Sequence, residues 1–139
     1  MDPFDRGAFV NACHTAFSLA SSPEIAKAWN DESACAGMTV GGLTHHLLAQ
    51  AGHVVNSLNT SPSSDEPIPL LDHYSRADWV TADHDDEANV SIREGSDSSA
   101  EAGHAPVLAQ AAMSLAHLPE SLAAPRSPDH IYIPWQGWS

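Results

Sequence analysis

His46, Gln50 and His53 stand at positions i, i+4 and i+7. On a helix that spacing puts two imidazoles and a carboxamide on one face. Neutral imidazole suits zinc, nickel, copper or iron, and a catalytic zinc site commonly takes three protein ligands and leaves water in the open position. Two histidines seven residues apart supply only part of such a set. His46 therefore has two readings, a metal ligand on the buried-side edge of its helix or a partly buried polar residue bonded to a carbonyl. His45 points about 100° away on the helical wheel and is expected in solvent. His14, His73, His84, His117 and His130 are scattered, and His104, at the start of a helix, is expected to cap it or lie on the surface.

The helix that must carry these histidines is the clearest element in the chain. Thr39 can cap it, and Val40, Leu43, Leu47, Ala51, Val54 and Leu58 recur at helical spacing behind the cap. Gly41 and Gly42 each cost about 1 kcal/mol relative to alanine inside a helix, so they point to close backbone packing or a loosely wound first turn. Before it, Asp2-Pro3 reads as an N-cap and first helical position, followed by Phe9, Cys13, Ala16, Phe17 and Ala20, which predicts a helix over 3–21. Ser22-Pro23 starts a short turn carrying Ile25, Ala28 and Trp29, before a polar loop over 30–37.

Residues 59–69 are rich in Ser, Pro and Asp and read as a surface loop. A third helix is expected over 70–82, with Leu71, Tyr74 and Trp79 available for packing. Asp85-Asp86-Glu87 offers negative charge to a helix start, with a turn or two through Val90 and Ile92, and 95–103 reads as a loop or weak helix. From His104, Val107, Leu108, Ala111, Leu115, Leu118 and Leu122 mark a last helix that Pro119 kinks or ends and Pro125 and Pro128 stop. Ile131 to Trp135 is a short extended run.

A chain of 139 residues is expected to form a single domain spanning 1–139. Eighteen acidic residues against five basic ones give a formal charge of −13, which repels phosphate backbones and anionic lipid headgroups. Nucleic acid and membrane partners are not expected. Two cysteines without a Cys-x-x-Cys pair, no leader-like start and no long apolar run point to a soluble cytoplasmic protein. Cys13 falls on the apolar face of the first helix and is expected as a core thiol. There is no Gly-x-Ser-x-Gly elbow, phosphate-binding glycine loop, His-Glu-x-x-His pattern or EF-hand loop. Asp83, Asp85, Asp86 and Glu87 could attract a hard cation but read first as a solvated helix start, and Trp135 and Trp138 could line a pocket but read first as tail aromatics packed on the bundle.

Three stretches carry a family resemblance: 37–47 (GMTVGGLTHHL), 74–79 (YSRADW) and 133–139 (IPWQGWS). In these the chain resembles the mycothiol-dependent maleylpyruvate isomerase N-terminal domain, within the DinB-like group of metal-binding helical bundles. The resemblance implies a four-helix bundle in which a histidine of the second helix and a Glu/His pair of the last hold a divalent metal. Its Leu-x-x-His pattern falls on Leu43-Thr44-His45-His46 and assigns His46 as the ligand, with Gln50 and His53 lining the site. Zinc or nickel would be the metal and mycothiol the thiol cofactor, since a coordinated thiol is readily deprotonated.

The implied activity is isomerisation or S-transfer on a small-molecule thiol. The family's Glu/His-bearing helix would begin beyond Ser139, so the expected fold is all-α, a DinB-like up-down bundle truncated before its fourth core helix, with a short extended tail. The exposed groove of such a bundle implies a homodimer. The competing expectation is a noncatalytic helical-bundle module acting through self-association or small-ligand binding.

Overall fold

Asp5 begins the first helix by accepting a hydrogen bond from Ala8 N on its Oδ1 at 2.9 Å, which satisfies one of the free N–H groups of a helix start. The structure, a computed structural model, describes residues 5–61, 66–125 and Ile133. The expected cap at Asp2-Pro3 lies outside the described residues. Helix α1 (Arg6–Ala20) buries Ala20 and half-buries Phe9, Cys13, Ala16 and Phe17, as their spacing predicts. Ser22 caps the short α2 (Pro23–Lys27), with proline at its first position.

The loop after α2 folds back on itself. Gly37 takes a positive φ of 76°, and Gly41 N donates to Trp29 O at 2.8 Å. These contacts lay the Trp29 indole across the start of α3 (Val40–Asn59), where Thr39 Oγ1 accepts from Gly42 N at 2.9 Å. Both glycines are places of close approach. A Cβ on Gly41 would stand 2.6 Å from Trp29 Cε2, and one on Gly42 would overlap Asp97 Oδ1.

This close packing turns α3 about its axis relative to the expected stripe. Thr44, Leu48 and Ala51 are buried, whereas Leu43 and Leu47 remain 36% and 46% exposed. Small residues let neighbouring backbones approach, so the glycine seam determines which face is covered and part of the leucine stripe is left outside.

The single helix expected over 70–82 is instead two short ones, α4 (Leu70–Ser75) and α5 (Asp78–Thr81). Arg76 N donates to both Asp72 O and His73 O, and Ala77 is buried at the break. Residues 87–100, expected as a turn or two followed by a loop or weak helix, form one continuous helix, α6 (Glu87–Ala100). Its run of Gly, Ser and Asp has low intrinsic helix propensity, and tertiary contacts override it. Arg93, Ser96 and Ala100 face inward. Gly103, at φ 96°, reverses the chain into α7 (His104–Ala123). Pro119 does not end α7, because the fully buried Leu118 before it and the buried Ser121 after it hold the inner face across the missing N–H.

Helices α3 and α7 form the central pair and run parallel, with Gly52 against Ser114 and Asn59 Nδ2 donating to Ser121 Oγ at 2.9 Å. Helix α1 runs antiparallel to α7. Arg6 Nη1 donates to Leu122 O at one end, and His104 Nε2 lies 2.8 Å from Ala20 O at the other. The end of α6 meets the start of α3 through Asp97 and Thr39. One apolar cluster gathers Ala20, Trp29, Leu48, Ala100, Val107 and Ala111, and a second gathers Ala51, Leu115 and Leu118.

Four long helices, α1, α3, α6 and α7, thus share the core among the described residues. The fold is all-helical there, with one isolated bridge between Glu32 and Thr39. Of the tail expected to be extended, Ile133 is irregular and half-buried, and the rest lies outside the described residues. No helix among the described residues is long and apolar enough to cross a membrane.

Candidate functional site

The rotation of α3 reverses the expected order of its histidines. His46 is exposed, with Nδ1 3.4 Å from Ser96 Oγ of α6. His45 is half-buried, and its Nδ1 is enclosed without a hydrogen-bond partner. The physical reason is the glycine seam: turning Gly41 toward Trp29 brings the side chain four residues later inward as well. Burial, and then the neighbouring His46, lower the His45 pKa from the ordinary value. His53 is half-buried, and burial followed by His46 and His45 lowers its pKa too. The three imidazoles therefore share one local field.

Gln50 Nε2 donates to His46 O at 2.9 Å, so its amide nitrogen is committed to its own helix. His104 is half-buried rather than exposed: its Nε2 lies 2.8 Å from Ala20 O, and its ring meets Trp29 edge-on at 5.2 Å between ring centroids. His14, His84 and His117 are exposed, His73 is half-buried beside Tyr74, and His130 lies outside the described residues. Asp83, Asp85, Asp86 and Glu87 are exposed, in keeping with a solvated helix start. Trp135 and Trp138 lie outside the described residues.

Among the described residues no group of three His, Cys, Asp or Glu side chains is placed to hold a metal ion. His46 and His53 supply imidazoles, while the facing α6 presents Ser96 to His46. This described donor set does not by itself complete a three-ligand catalytic zinc site.

A cavity of about 190 Å³ opens between α1, α3 and α7. Phe9, Cys13 and Ala16 line it from α1, Leu47, Gln50 and Ala51 from α3, and Ala111 and Leu115 from α7. The wall is apolar except at Gln50 and the Cys13 thiol. Burial raises the thiol pKa, which keeps sulfur protonated and poorly nucleophilic near neutral pH. Cys13 was legible as a core thiol. The cavity was not, because its wall draws on three helices far apart in sequence.

Sequence reasoning also missed Asp97 and Arg93. Asp97 Oδ1 accepts from Thr39 N at 2.9 Å and Thr39 Oγ1 at 2.6 Å, holding the α3 cap from α6. Arg93 is buried, and its Nη1 donates to His84 O at 2.6 Å while Nη2 lies 3.7 Å from Asp85. Their i, i+4 spacing on one helix face was the available signal. Comparison with models of protein families, with curated proteins and with solved structures gives no match.

Proposed function

We propose that the chain is a noncatalytic helical-bundle module that binds a small apolar molecule between α1, α3 and α7. The observation that carries this reading is the cavity of about 190 Å³ with its apolar wall. An apolar cavity of about 150 Å³ stays dry and admits benzene, so this one suits a single-ring or short aliphatic compound. Gln50 retains its carbonyl oxygen as an acceptor at the wall, which permits one polar substituent.

Benzene and indole titrations followed by calorimetry and thermal shift test the reading. Saturable binding that raises the melting temperature is expected, and Ala51→Leu, which fills the cavity, abolishes it. No saturable binding, or equal binding by the filled variant, rules the reading out. The DinB-like assignment stands with it as a proposal, supported by the three family-like stretches and by helices that alternate in direction around α3 and α7. Exposed Leu43 and Leu47 support self-association, including a homodimer, as a companion property.

A second reading is a metal-dependent isomerase or S-transferase using mycothiol, with His46 as ligand and His53 and Gln50 beside it. The cluster of imidazoles on α3, one with an enclosed unpartnered nitrogen, favours it. Zinc and nickel titrations should then show one saturable site, weakened at least about tenfold in His46→Ala. Absence of saturation eliminates this second reading and leaves the first intact.

A further inference from the structure

Helices α4 and α5 carry large apolar side chains that the core does not cover. Leu70 is 67% exposed and Leu71 80%, with Tyr74 and Val80 both at 45%. Tyr74 and Trp79 meet edge-on at 6.3 Å between ring centroids, which joins the two short helices into one continuous surface. The surface is held rather than loose, because Ala77 is buried at its bend and Asn89 Nδ2 ties Ala82 O and Asp83 O to α6. Contiguous exposed apolar surface of this kind marks an interaction site.

Its rim is strongly acidic. Residues 66–87 hold seven carboxylates, all exposed, against a single arginine, Arg76. Beside the apolar surface a polar groove of about 620 Å³ runs between α5 and α6, and Asp78, Asp86 and Glu87 line it. A second copy would bring the same excess of negative charge against this rim, and anionic lipid would be repelled likewise. The complementary surface is apolar at its centre and cationic at its edge. We propose that α4 and α5 dock a cationic amphipathic helix of another protein, its apolar face on Leu70, Leu71, Tyr74 and Trp79 and its lysines or arginines toward Asp78 and Glu87. Helix-in-surface recognition of this type takes apolar anchors at three- and four-residue spacing, with charge supplying orientation and on-rate.

The probe is a labelled amphipathic peptide of leucine and lysine, titrated into the full chain and read by fluorescence anisotropy, beside a leucine and glutamate peptide of the same pattern. Saturable one-to-one binding of the lysine peptide is expected, with none for the glutamate peptide. Leu71→Asp, at a position exposed enough to leave the fold intact, should weaken binding at least about tenfold. The double variant Asp78→Asn, Glu87→Gln should weaken it several-fold and flatten its salt dependence. Circular dichroism and melting of each variant confirm folding independently of binding. The proposal is overturned if Leu71→Asp binds as the parent does, if neither peptide saturates, or if the glutamate peptide binds equally. It is also overturned if sedimentation shows a dimer that Leu71→Asp dissolves, or if neutral phosphatidylcholine vesicles capture the chain through Leu71; the surface then serves a second copy or a membrane.

Discussion

His45 combines a half-buried ring, an enclosed Nδ1 without a partner and a pKa held down by burial. His53 is shifted in the same direction. With folded-state pKa values below the ordinary histidine value near 6.5, the unfolded chain binds more protons between the two values. Stability from these groups is therefore complete above about pH 6.5 and is lost as pH falls through that value toward the lowered folded pKa. Between about pH 7.5 and about pH 5 the melting temperature of the parent should fall relative to that of His45→Leu, which lacks one of the two depressed histidines. At the upper pH the substitution should be neutral or stabilising by up to about 1 kcal/mol, since it removes an unsatisfied polar atom. An unchanged slope in His45→Leu would show that the ring titrates as it does in water. The type of residue was visible in the sequence, but its inward direction was not.

At the scale of elements, the start of α3 is organised by what its glycines admit. The Trp29 indole occupies the space a Cβ on Gly41 would need, and Trp29 Nε1 donates to Ala100 O at 3.0 Å. Gly41→Ala should therefore destabilise by about 2 to 3 kcal/mol in chemical denaturation, through displacement of the indole and its hydrogen bond. Gly95 in α6 has nothing within 4 Å of an added Cβ. Gly95→Ala should stabilise by about 0.5 to 1 kcal/mol, because it restricts the unfolded chain and favours helix. Equal effects of the two substitutions would refute the packing argument. The caps at Ser22 and Thr39 and the inward residues of α1 and α7 were legible because cap chemistry and helical period are local. Helix α6 was hidden by a polar, small-residue segment whose helicity depends on Thr39, His46 and other groups of α3.

Across the whole molecule, a formal charge of −13 sets a self-repulsion that folding concentrates. Only a few cations offset it, and Arg93 is buried in its own local network. Raising salt from about 0.01 to about 0.3 M shortens the Debye length from about 30 Å to under 10 Å. The melting temperature should rise by several degrees over that range, and a flat or falling response would show that repulsion does not limit stability. Net charge was fully readable from composition, whereas its concentration beside the apolar surface of α4 and α5 depends on how residues 66–87 fold.

The sequence by itself determined the helical character of the chain, two of its caps, the inward faces of α1 and α7 and the acidic balance, since each depends on residues close together or on composition alone. Tertiary structure decided which α3 histidine turns inward, whether 87–100 is helical, and that Cys13, Gln50 and Leu115 share a cavity wall. Those outcomes depend on how closely separate helices approach. At α3 that distance is set by Gly41, Gly42 and the groups they meet, Trp29 and Asp97, the latter more than fifty residues further along the chain.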